Sequence, residues 1–121
     1  MPLRNLKGYL WDVVEACQKI QNYTKEKTFE NYQADDLLRS AVERQLTVAG
    51  EALAQASQHF PEVTTMISQL RQIVGFRNRM IHAYLHIDDF TVWGVVEKYV
   101  PLLKREAQVA LNKLQETEPL N

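Results

Sequence analysis

The sequence predicts an all-α protein, an up-and-down bundle of four main helices with room for a short one. Two observations carry this. Apolar residues recur at steps of three and four along most of the chain, and no run alternates with period two for long enough to form a strand. Four Gly and four Pro in 121 residues are also too few for a turn-rich β architecture. That length suits one domain, expected over 1–116 with a frayed tail at 117–121. Apolar residues at 45% and charged residues at 24% match globular averages and exclude wholesale disorder.

The first helix follows Leu6, Leu10, Val13, Cys17 and Ile20, and its pattern fades in the charged stretch 25–30. Asp35 or Asp36 can cap the second, whose seam is Leu38, Val42, Leu46, Ala49, Leu53 and Ala56. Ala49, Gly50 and Ala52 are small enough to let another backbone approach there. His59-Phe60-Pro61 ends this helix, with Pro61 suited to the first turn of the next segment. The third pattern runs Ile67, Leu70, Val74, Arg77, Ile81, Tyr84. Asp88 and Asp89 offer a cap for the fourth, which runs Trp93, Val96, Val100, Leu103, Ala107, Ala110, Leu114. Pro101 lies inside it and is expected to kink or divide it, because it removes a backbone donor.

The net charge of −1 gives no overall basic field to attract nucleic acid. The distribution is uneven, however. Between Val63 and Ile87 there is no Asp or Glu, while Arg71, Arg77, Arg79, His82 and His86 all fall there. The single cysteine, Cys17, excludes an internal disulfide framework and fits a reducing compartment. The first 20 residues carry Arg4, Lys7, Asp12 and Glu15 and contain no signal-peptide core. No segment reaches the ~20 apolar residues of a membrane span. The expectation is a cytoplasmic protein with no membrane role.

One position in the third seam does not suit a core. Arg77 stands where the rhythm assigns an apolar residue, and Tyr84 comes seven residues later, within about 20° on the same face. His82 lies about 140° round from Arg77, with Asn78 one turn before it on its own side. These residues can line a groove along the helix flank, and two copies meeting across a dimer axis can enclose a site. The plain structural reading is an ion pair between Arg77 and Glu51 or Glu43, with His82 at the surface and Tyr84 in the core. The functional reading is chemical. Arginine presents a planar fork of donors that matches phosphate oxygens. Imidazole, with an ordinary pKa of about 6.5, can take and give a proton near neutrality. Such a pair suits cleavage of an RNA phosphodiester by the neighbouring 2′-hydroxyl, with no metal and no cofactor.

The stretch Arg77-Asn78-Arg79-Met80-Ile81-His82-Ala83-Tyr84 resembles the R-x4-H-x-Y motif of the HepT toxins, in the HEPN superfamily of helical ribonucleases. Gly50-Glu51-Ala52 late in the second helix, Ile87-Asp88 after the motif and Val92-Trp93 opening the last helix agree with it. The resemblance spans nearly the whole chain. It implies an endoribonuclease toxin of a type VII toxin–antitoxin pair that acts on tRNA or mRNA and leaves a 2′,3′-cyclic phosphate. It implies Arg77 and His82 as catalytic residues, with Asn78 and Arg79 in support. It further implies a homodimer with a composite site, and higher complexes with a minimal nucleotidyltransferase (MntA-like) antitoxin. That antitoxin would silence the toxin by transferring AMP to Tyr84.

Other readings stand beside it. His82, His86 and Asp89, spaced i, i+4, i+7, could offer a metal two imidazoles and a carboxylate from one helix face. The same groove could hold RNA or a nucleotide without cutting it, or the helical face could simply dock a nucleotidyltransferase. An RNA gel run with chelator separates a cutter from a binder.

Overall fold

A computed structural model describes residues 4–82 and 86–117. Its elements are α1 (Leu6–Thr24), α2 (Phe29–Ala34), α3 (Asp36–His59), α4 (Val63–Met66), α5 (Leu70–Ile81) and α6 (Asp89–Thr117). Among the described residues there is no strand, so the expected all-α bundle of four main helices is found, with α2 and α4 as short additions.

Four helices, α1, α2, α3 and α6, start at side-chain caps, whereas α4 and α5 start without one. Asn5 accepts from the Gly8 N–H at 2.9 Å to open α1, and Asp35 accepts from Leu38 at 3.1 Å to open α3. Asp88 accepts from Thr91 at 2.7 Å to open α6. After α1, Glu26 turns the chain with a left-handed backbone (φ 61°), and Thr28 with Asn31 forms a capping box for α2.

The seams then bury as their rhythm dictates. Leu10, Val13, Cys17 and Ile20 of α1 are fully enclosed, as are Val42, Leu53 and Ala56 of α3 and Val100 and Ala107 of α6. Tyr9 near the start of α1 meets Phe60 just past the end of α3, so these helices run antiparallel. α1 packs against both α3 and α6, whereas the main packing of α5 is on α3. The core is therefore a three-helix stack with α5 laid on one flank. That arrangement leaves α5 only two buried residues, Leu70 and Ile73.

Two sequence expectations need correction, and a third is narrowed. The third pattern does not form one helix from Ile67: Ile67 closes α4 in extended backbone, and α5 starts at Leu70. Between them, the Ser68 N–H and hydroxyl both donate to the Glu106 carboxylate on α6 (3.2 and 2.9 Å), which draws the chain out of helix. α5 also stops at Ile81, short of Tyr84. Pro101 does not divide α6, which is continuous from Asp89 to Thr117; the buried Val100 and Leu103 hold it to the core on either side of the missing donor. Thr117 ends α6, and the remainder of the expected tail lies outside the described residues. No described helix is long and apolar enough to cross a membrane.

Candidate functional site

The site begins with a missing side chain. Gly50, in the middle of α3, faces α5 so closely that a Cβ on it would stand 2.4 Å from Arg77 Cβ and 2.8 Å from Arg77 Cγ. Only glycine lets the Arg77 stem lie on the α3 backbone. The stem is thereby enclosed, leaving 16% of the Arg77 side chain exposed. Its guanidinium reaches Glu51, the next residue along α3: Nη2 donates to Glu51 Oε2, and Nη1 donates to Asn78 Oδ1. The second Glu51 oxygen accepts from Gln55 at 2.8 Å. Of the two acids expected as partners for Arg77, the structure selects Glu51. Glu43 faces another neighbourhood, near Asp89, Arg39 and His86, where burial pushes its carboxyl above the usual range.

An arginine has five N–H donors. Here one goes to Glu51 and one to Asn78, while Nε is buried with no acceptor among the described residues. Two remain, one on each terminal nitrogen, and these can serve a phosphate oxygen.

His82 is the residue that leaves the helix. It caps α5 in extended backbone (φ −90°, ψ 106°), its N–H donating to the Arg79 carbonyl at 3.4 Å, and it is exposed. The helical-wheel placement of His82 about 140° from Arg77 therefore does not hold, nor does its shared side with Asn78. Arg77 and His82 still belong to the same end of α5, with Asn78 and Arg79 exposed between them. Tyr84 lies outside the described residues. The metal face expected from the spacing is not formed: His82 ends α5, His86 sits in irregular backbone and Asp89 opens α6. Among the described residues no group of three or more His, Cys, Asp or Glu is placed to hold a metal ion.

The family model for the ribonuclease HepT-like proteins matches residues 13–110, spanning all four main helices and the Arg77–Glu51 contact. The chain belongs to the HepT-like ribonuclease family. A Methanocaldococcus jannaschii protein with a provisional RNase name is 30% identical over 116 residues, covering 96% of this chain and 99% of its own. A Thermococcus cleftensis protein named as a probable ribonuclease HepT is 34% identical over 101 residues, 84% of this chain and 91% of its own. A Caldanaerobacter subterraneus relative, again provisionally named an RNase, is 25% identical over 111 residues, 92% of this chain and 98% of its own. No solved structure matches.

For this HepT-like chain, the Gly50-Glu51-Ala52 segment acquires a physical explanation. Gly50 makes room for the Arg77 stem, Glu51 binds its head, and Ala52 is buried in the core. Sequence reasoning missed Gln55 and Arg44, which flank Glu51 along α3. The available signal was their spacing from Glu51, four residues after and seven before, which puts all three on one helix face.

Proposed function

We propose that this HepT-like chain is a metal-independent endoribonuclease and the toxin of a type VII toxin–antitoxin pair. Arg77 and His82 are its catalytic residues, and Asn78 and Arg79 support them. The observation that carries the reading is Arg77 itself: a guanidinium seated over a mid-helix glycine, held by Glu51 and Asn78, in a stretch free of acids. A helix interior gives up about 1 kcal/mol to hold glycine rather than alanine, and the buried Nε is left without an acceptor. Both features aim the arginine and neither stabilises the fold.

In the mechanism, an imidazole takes the proton of the 2′-hydroxyl, and O2′ attacks the adjacent phosphorus. The two free N–H donors of Arg77 neutralise charge growing on the phosphoryl oxygens. The P–O5′ bond breaks, and O5′ leaves with a proton from a second imidazolium. The products are a 2′,3′-cyclic phosphate and a 5′-hydroxyl. Two imidazoles are supplied when two copies join into a homodimer with a composite site. The RNA is tRNA or mRNA. AMP transferred to the Tyr84 hydroxyl by an MntA-like nucleotidyltransferase would add a phosphodiester charge and bulk at the motif.

The test is an RNA digest with excess EDTA. Cleavage should persist and yield a cyclic phosphate, while DNA and 2′-O-methyl RNA resist and His82→Ala is inactive. Loss of cleavage in chelator, or cutting of DNA, would remove the mechanism.

A further inference from the structure

A solvent-open groove of about 390 Å³ lies between α1 and α3. Its size falls within the roughly 300–1,000 Å³ of small-ligand clefts. Arg44, Thr47, Glu51 and Gln55 border it from α3, and Arg4 and Asp12 border it from the N-terminal side. Glu51 is common to the groove and to the Arg77 contact, so the two share a wall.

The charges in the groove are mostly cancelled. Arg4 donates to Asp12 at 2.5 Å and lies over the Tyr9 ring, 4.9 Å from its centroid, while Glu51 is paired with Arg77. Arg44 is the exception. It is exposed and has no hydrogen-bond or ion-pair partner among the described residues. The groove thus offers one unbalanced guanidinium, the donor geometry that phosphate accepts. Around it, the Thr47 hydroxyl, whose proton goes to the Glu43 carbonyl, can still accept from a base edge; the Gln55 amide, bonded to Glu51, keeps its oxygen and one N–H; and Val48 supplies apolar surface. A cation for the backbone and polar groups for a base edge are part of what holds an unstacked nucleotide of a single strand.

We propose that this groove is a subsite for a nucleotide flanking the scissile bond of single-stranded RNA, with Arg44 holding that nucleotide's phosphate. The proposal rests on the ribonuclease reading above and adds a second contact point to it. Because Arg44 binds away from the reacting phosphorus, its contribution falls on KM and depends on substrate length.

The test compares a dinucleoside monophosphate, which carries only the scissile phosphate, with the same unit extended by one nucleotide at either end. Wild type should favour an extended substrate. Arg44→Ala should raise KM for that substrate about tenfold relative to the dinucleoside monophosphate, the effect of one lost phosphate contact. Arg44→Lys should restore part of it. Arg105→Ala, which removes the same charge outside the groove, should leave the preference intact. An Arg44→Ala protein with unchanged length preference, or with a loss confined to kcat, overturns the subsite. If wild type cleaves neither these substrates nor the RNA of the digest above, the ribonuclease reading fails separately. A labelled trinucleotide then decides the groove: weaker binding by Arg44→Ala, with a salt slope smaller by about one, sustains it. Equal binding overturns it.

Discussion

The Arg77 Nε–H is buried without an acceptor, and a buried donor in that state costs about 1–3 kcal/mol. Its ion pair with Glu51 returns little, because Glu51 is 46% exposed and such pairs contribute roughly 0–1 kcal/mol. Arg77→Met keeps Cβ and Cγ over Gly50 and removes the orphaned donor. Its melting temperature should equal or exceed that of wild type, while RNA cleavage falls at least about 10²–10³-fold, the usual loss for one transition-state donor, since Arg77 supplies two. A marked fall in melting temperature would instead assign Arg77 to packing. Arg77→Lys should not recover cleavage, since the forked geometry is lost.

Two glycines separate helix propensity from helix contact. Gly50→Ala gains about 1 kcal/mol of propensity but places a methyl 2.4 Å from Arg77 Cβ, so α5 must move. Overpacking of this kind costs about 1–3 kcal/mol, and cleavage should drop because Arg77 moves with α5. Gly75 is exposed on α5, and a Cβ added to it would meet nothing within 4 Å. Gly75→Ala should therefore stabilise by about 0.5–1 kcal/mol in denaturant unfolding. The cap of α6 adds a pH dependence. The Thr91 backbone N–H holds the Asp88 carboxyl below its ordinary range. A depressed carboxyl stabilises above its unfolded pKa, and the contribution is lost as pH falls through the folded value. Asp88→Asn keeps an acceptor for Thr91 but should flatten this part of the acid limb in melts recorded against pH.

Across the bundle, α1, α3 and α6 form the stack that seals Cys17, and burial pushes its thiol up to about 12. A thiol reagent should therefore label Cys17 only on global unfolding, and the labelling rate under native conditions should follow the unfolding equilibrium. Fast labelling of the native protein would show that the stack opens locally. α5 is held mainly from one side, and its end leaves Ile81 54% exposed. In sedimentation at micromolar concentration the chain should run as a homodimer that uses this helix or its neighbours. A monomer that still cuts RNA would contradict the composite site.

Local pattern along the chain was enough for the fold class, three of the four seams, two caps narrowed to Asp35 or Asp36 and to Asp88 or Asp89, and the partner of Arg77 narrowed to Glu51 or Glu43. Each follows from local rules: an apolar stripe must be buried, and a helix end must satisfy its donors. The limits of α5 came from folding alone. Ile67 continues the three-four rhythm, yet Ser68 is captured by Glu106 from a helix far along the chain. At the other end no glycine or proline marks the exit at His82. Folding also set how close α5 comes to Gly50, and which of Glu43 and Glu51 meets Arg77. It made the Arg44 groove, whose two walls are distant in sequence. Periodicity reports what a helix must bury, but the contact that ends it, and the polar group opposite it, belong to residues that only folding brings near.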